Sequence, residues 1–363
     1  MKIKIPNVSK WQFWPQMVLF ILLSEKIYNY SYVAGKYNVA VTLVFFAVSL
    51  AFLLLKKVKL TQNDFIPLAV IGVVVLYGFC RESIRYALVF FSLLVWNKIS
   101  IRNLDVLHKS LVISAVALSA VDYALGFERI SGFSAGSPTL FSCAISICFI
   151  YLLFKKDKTK DDYLYAGICF ILAFKTESSS SILFIATLIA YKVAINIFYK
   201  FGWKSWYAKG IILVAIVVVA VLLVTNLDSA LGIISRGNRN ASTATRLGIY
   251  QAFLELWIST PKTFLLGYGG GFSQEYIQKY WGAISHMPLH QDILMFACEY
   301  GLIGFWAIYN FLIKKYKLNF LMLLALVLAT FHNVILSPMT LLLLVMTSNS
   351  INEQYGKTGV LWK

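Results

Sequence analysis

The 363-residue chain is poor in charge and poorer still in acid: charged residues are 13% of it, against about 25% in soluble domains, and Asp plus Glu number 16 against 33 Lys plus Arg. That balance excludes a soluble multidomain enzyme. The five cysteines (Cys80, Cys143, Cys148, Cys169, Cys298) each lie in or beside an apolar run, with no CxxC and no Cys/His metal spacing, so neither a disulfide framework nor a zinc site is indicated. No Gly-Lys-Ser/Thr follows the glycine-rich stretch 267–271, which excludes a Walker A loop, and no HExxH or DxD is present. Ser178 to Ser181 lack the Gly-x-Ser-x-Gly turn of a serine hydrolase and read as small-residue packing. No small-residue cleavage site follows Lys2, Lys4 and Lys10, so the first apolar stretch is expected to stay as an uncleaved helix.

What the chain has is apolar length. Runs fall at 13–32, 38–55, 65–80, 86–97, 108–124, 138–154, 162–175, 181–199, 210–226, 291–312, 318–332 and 336–348. At roughly 20 residues a crossing, twelve helices take about 240 residues and leave room for one long connection. The expected fold is an all-α polytopic membrane protein with about 12 transmembrane helices (11–13). Its predicted layout is nine helices over 1–226, a large outer loop over 227–288, three helices over 289–348 and a cytoplasmic tail over 349–363.

The net charge of +17 divides along this topology. With a cytoplasmic N-terminus, the clusters Lys56/Lys57/Lys59, Lys98/Arg102, Lys155/Lys156/Lys158/Lys160, Lys200/Lys204/Lys209 and Lys314/Lys315/Lys317 all fall on the cytoplasmic side. Basic residues placed this way point to membrane lipid as the partner and argue against nucleic acid. Arginine behaves differently, because Arg81, Arg85, Arg129, Arg236, Arg239 and Arg246 all map outside. An outer guanidinium works against orientation and is a good bidentate partner for phosphate, so these six suggest an anionic ligand on that face. Lys192 and Asp122, the main charges inside spans, sit close enough to helix ends to snorkel.

In the loop, Ser242-Thr243-Ala244-Thr245 offers N-caps, and Leu247, Tyr250, Phe253, Leu254 and Trp257 follow at helical spacing until Pro261. This predicts an amphipathic helix starting at Arg246, whose N-terminal N–H groups and arginine make an anion site. Gly267-Tyr268-Gly269-Gly270-Gly271 is either a close backbone approach to phosphate, with Gly269 at its centre, or a flexible turn. Of four histidines, His286, His290 and His332 map outside and His108 near a cytoplasmic helix end. His290, at the return to the membrane, is suited to accept a hydroxyl proton. His286 and His290 with Asp292 are a weak metal set, because Pro288 interrupts the face, and no metal or cofactor is expected.

The segment from Arg246 to Leu312 resembles the O-antigen polymerase and O-antigen ligase superfamily of bacterial inner-membrane glycosyltransferases. The resemblance is carried in order by Ser242-Thr243-Ala244-Thr245-Arg246, Leu266-Gly267-Tyr268-Gly269, His290-Gln291-Asp292-Ile293-Leu294 and Glu299-Tyr300-Gly301-Leu302-Ile303-Gly304, with Arg129-Ile130-Ser131-Gly132-Phe133 as an earlier "Arg-x-x-Gly" outer loop. Two departures stand out: Gln291 replaces the usual Asn, and Thr176-Glu177-Ser178-Ser179-Ser180 stands where many members carry a Ser-Arg pair. The resemblance implies a membrane glycosyltransferase C-like fold in the inner membrane, with both termini cytoplasmic and a periplasmic active site. It implies a metal-independent polymerase using undecaprenyl diphosphate-linked glycan as donor and acceptor, with a possible chain-length regulator as protein partner. Arg129 and Arg246 would hold diphosphate, Arg236 and Arg239 would be second-rank contacts, and His290 would be the base. His332, His286 and Gly269 are secondary candidates, and Glu299 is expected to be a structural helix partner. Rivals are a ligase to lipid A core and a lipid-linked oligosaccharide transporter or flippase, the latter disfavoured by the lack of a two-half repeat.

Overall fold

The computed structural model describes residues 3–4, 13–24, 26, 34–55, 57–77, 81–96, 98–100, 104–134, 138–201, 207, 210, 211, 214, 239–281, 292–309 and 338–355. Among them are thirteen α-helices: α1 (Phe13–Leu22), α2 (Ala34–Leu54), α3 (Phe65–Leu76), α4 (Arg81–Trp96), α5 (Asp105–Ala124), α6 (Pro138–Phe154), α7 (Lys160–Lys175), α8 (Ser179–Lys200), α9 (Arg239–Ile258), α10 (Pro261–Leu266), α11 (Phe272–Trp281), α12 (Asp292–Tyr309) and α13 (Pro338–Tyr355). The one sheet among the described residues is a parallel two-residue pairing of Ile3–Lys4 with Ile99–Ser100. Apart from that pairing the elements among the described residues are all helical, consistent with the expected helical membrane protein. By length and composition together, α5 is the one described helix apolar enough to cross on its own, and shorter apolar stretches include Val39–Leu54, Ile84–Trp96 and Leu294–Gly304. The runs at 210–226 and 318–332 lie largely or wholly outside the described residues. The last helix extends past the apolar run to Tyr355, so the start of the 349–363 tail is helical.

Helix α6 is the spine. It is apolar on every side, and a helix without a polar face must be covered all round. Phe141, Ser142, Ala144 to Leu152 and Phe154 are all buried, with α5, α7, α8 and α13 packed about them. Its serines cost little, because Ser142 and Ser146 donate to the carbonyls of Thr139 and Ser142 one turn back. His108 of α5 is a satisfied core histidine. It stacks on Tyr151 at 4.3 Å between ring centres, with Nδ1 3.3 Å from Cys148 Sγ and Nε2 3.1 Å from Thr347 Oγ1. Cys148, Cys169 and Cys298 are free and buried, as expected of small core side chains.

Buried ion pairs tie the helix ends. At one end Lys155 bridges Asp105 (2.8 Å) and Asp162 (2.7 Å), and Lys109 reaches Asp162 at 2.8 Å, which joins α5, α6 and α7. Asp162 also caps its own helix, accepting from Thr159 N and Oγ1. Lys158, in the turn above, is held below the ordinary lysine range by burial and then by the Lys155 charge, with Asp162 opposing. Lys98 pairs with Asp64 and donates to the Lys59 carbonyl. Some lysines expected from the sequence to be topology signals therefore have structural partners, and Lys155 is only 2% exposed.

At the opposite end of α5, Asp122 does not snorkel. It is 1% exposed, pairs with the buried Lys26, and its Oδ2 accepts from the backbone N–H groups of Ser131 (2.8 Å) and Gly132 (2.9 Å). A carboxylate this far inside is retained by partners, since reaching water would break all three contacts.

Candidate functional site

The described part of the large loop folds back on α12. Helices α9, α10 and α11 all pack against α12, and so does α3. The contact face of α9 is built from Ile249 and the fully buried Phe253, with Tyr250 and Trp257 half-buried beside them, whereas Leu254 is exposed. Of the predicted stripe, Phe253, Tyr250 and Trp257 thus pack on the bundle and Leu254 does not. Ahead of Pro261, Thr260 caps α10 by accepting from Thr263 N at 3.1 Å, and Trp257 Nε1 donates to the Phe264 carbonyl at 3.0 Å.

One interlock holds the loop. Gly301 breaks the helical geometry of α12 (φ 62°, ψ −173°), which takes away the i+4 partners of the Cys298 and Glu299 carbonyls. Tyr268 N and Gly269 N replace them, both at 2.8 Å. Close approach makes glycine obligatory on both sides: a Cβ on Gly301 would lie 2.3 Å from the Leu265 oxygen, and one on Gly267 (φ 74°) would lie 2.6 Å from the Glu299 carbonyl. Tyr77, at the end of α3, donates to the Gly267 carbonyl at 3.2 Å. Glu299 Oε1 accepts from Ser273 N (3.3 Å) and, more closely, from Ser273 Oγ, so a carboxylate on α12 caps the first turn of α11.

The glycine-rich stretch is therefore a fitted turn. The N–H of Gly269, a secondary site candidate, is committed to Glu299.

Two arginines fall on α9, but not where the caps suggested. The helix begins at Arg239, so Ser242, Thr243 and Thr245 are helix interior and Arg246 lies two turns in. Each Ser or Thr costs under about 0.7 kcal/mol relative to Ala inside a helix, less than breaking a helix that Arg239-Asn240-Ala241 already continues. The N-terminal N–H groups of α9 accordingly stand beside Arg239, which corrects the expected pairing with Arg246.

Arg129 is half-buried in the loop after α5, and its Nε donates to the Thr176 carbonyl at 2.8 Å. Thr176 is the C-cap of α7, followed by Glu177 in a left-handed conformation (φ 50°). Arg129 thus reaches the same turn in which the expected second arginine is missing. Arg85 is half-buried at the start of α4, next to Tyr86, whose hydroxyl contacts Met295 Sδ of α12 at 3.4 Å. His286, His290, His332 and Arg236 lie outside the described residues, and Asp292, two positions after His290, opens α12. No cluster of three or more metal-ligating side chains occurs among the described residues.

Sequence reasoning did not anticipate the Lys26–Asp122 pair or the part Asp122 plays under the Arg129 loop. The signal was present, because two opposite charges inside predicted spans are more economically explained by each other than by separate snorkelling.

Residues 164–309 match the family model described as O-antigen ligase. The matched segment runs from α7 through α12 and contains the interlock, both arginines of α9 and His290. No curated protein is matched by this sequence.

Proposed function

We propose, from the match of residues 164–309 to the model described as O-antigen ligase, that the chain is a membrane glycosyltransferase of the O-antigen ligase/polymerase superfamily polymerising lipid-linked glycan repeats on the periplasmic face of the inner membrane. The growing glycan moves from undecaprenyl diphosphate to a hydroxyl of a new lipid-linked repeat. The acceptor oxygen attacks the anomeric carbon, the bond from that carbon to the diphosphate oxygen breaks, and the lipid diphosphate departs with the electron pair. His290 takes the hydroxyl proton. Arg129 and Arg246 hold the diphosphate as charge grows on it, with Arg236 and Arg239 as second-rank contacts. The bond from Nε to the Thr176 carbonyl orients the Arg129 guanidinium. His332 and His286 are the secondary candidates near the acceptor, and Gly269 contributes shape.

One observation supports this reading above the others. Helix α9, with Arg239 and Arg246, packs on α12, the helix that begins two positions after His290 in the chain. A second reading is favoured by the matched model's own description: a ligase using the same donor chemistry to pass finished glycan to lipid A core. Purified protein in liposomes with a defined lipid-linked repeat separates the two. A polymer ladder is expected; single transfer to added lipid A core with no ladder would establish the ligase. In the same assay His290→Ala abolishes turnover. Arg246→Lys keeps the charge, loses the bidentate fork and weakens turnover at least tenfold. Near wild-type rates from both variants would remove the assigned roles.

A further inference from the structure

The loop that carries Arg129 is held from beneath by a buried acid with no other evident use. Asp122 Oδ2 accepts from two successive backbone N–H groups, Ser131 and Gly132, while Oδ1 meets Lys26 of the chain that follows α1. The loop is fixed from above as well, because Gly132 has φ 51° and a Cβ there would come within 2.2 Å of the Phe141 ring. Between these holds and the Thr176 carbonyl, the Arg129 backbone and its Nε are located at both ends.

We infer that Asp122 is a positioning residue for Arg129: it sets the loop from which that guanidinium meets the diphosphate. The inference rests on the proposed role of Arg129 and deepens it. Physically, a single buried oxygen accepting from two successive N–H groups fixes the direction of the turn, and the Lys26 pair holds the carboxyl in place. A guanidinium displaced by an ångström loses much of its value to a bidentate ligand.

The test is a double-mutant cycle read as affinity for polyprenyl diphosphate by the full-length protein in detergent. Asp122→Ala alone is expected to weaken binding about tenfold, the scale of one lost charge-assisted hydrogen bond. On an Arg129→Ala background it should add less than about twofold, whereas on Arg246→Ala the full tenfold loss should persist. The paired variant Lys26→Met, Asp122→Asn retains an oxygen facing both N–H groups without stranding a buried cation, and should recover most of the affinity. If Asp122→Ala does not fold, Gly132→Ala disturbs the same loop from the Phe141 side and carries the same cycle. Full additivity with a weakened Arg129→Ala overturns this inference alone. Unchanged affinity in Arg129→Ala overturns the diphosphate reading and this inference with it.

Discussion

Gly301→Ala is the most informative single change in the bundle, because its cost follows from three backbone contacts. The new methyl carbon would sit 2.3 Å from the Leu265 oxygen, 2.4 Å from the Leu265 carbonyl carbon and 2.5 Å from Leu266 N. None of these atoms belongs to a side chain that can rotate away. The conformation itself (φ 62°, ψ −173°) is nearly closed to residues other than glycine, at about 1–3 kcal/mol. Relieving the clash by moving α10 outward pulls Tyr268 and Gly269 N–H away from the Cys298 and Glu299 carbonyls, and each buried group left unmade costs roughly 1–3 kcal/mol. Mid-range values come to about 6 kcal/mol, a large part of the 5–15 kcal/mol that roughly bounds the stability of a folded domain. Thermal unfolding in detergent should show a melting temperature lower by about 10 °C or more, with glycan transfer lost in parallel. Gly267→Ala should behave alike, and the two should not add, because they break the same interlock. Gly167→Ala is the control: nothing lies within 4 Å of its Cβ in α7, and alanine is the better helix former, so that protein should melt at or above wild type. A Gly301→Ala protein that melts with the control would refute the interlock.

Asp162→Asn leaves Lys155 and Lys109 without their common carboxylate and should destabilise by about 3–5 kcal/mol; heat-induced aggregation at near wild-type temperature would show that the three-helix knot is not needed. Phe253→Ala removes a fully buried ring from the face that α9 presents to α12, at a cost of about 3–5 kcal/mol. Limited proteolysis should then cut within 239–281 before it cuts the α5–α8 core, and an unchanged cleavage order would contradict the packing.

How much of this was legible in sequence depended on the range over which each signal acts. Apolar runs mark helices because burial follows local composition, and Pro138–Phe154 and Lys160–Lys175 match the predicted runs 138–154 and 162–175 within a few residues. The start of α9 was misplaced because Ser242 to Thr245 are good caps and also tolerable helix residues, and the choice rests with residues upstream. The glycines left two readings open because the partner that decides between them, Gly301, is thirty-four positions beyond Gly267 in the chain. The sequence suggests snorkelling for Asp122 because its partners come from Lys26, far upstream, and from two backbone amides that carry no sequence signature. The His290 and Arg236 assignments remain proposals on sequence, since both lie outside the described residues.

The interlock at Gly301 also sets an order in time. Residues 261–281 leave the ribosome before α12 exists, so the turn that carries Gly267 and Gly269 spends its first seconds without the carbonyls it will bond. Maturation of the loop is a step that follows insertion of the earlier helices. A chain truncated before residue 292 would carry both arginines of α9 and still lack the helix against which α9, α10 and α11 pack.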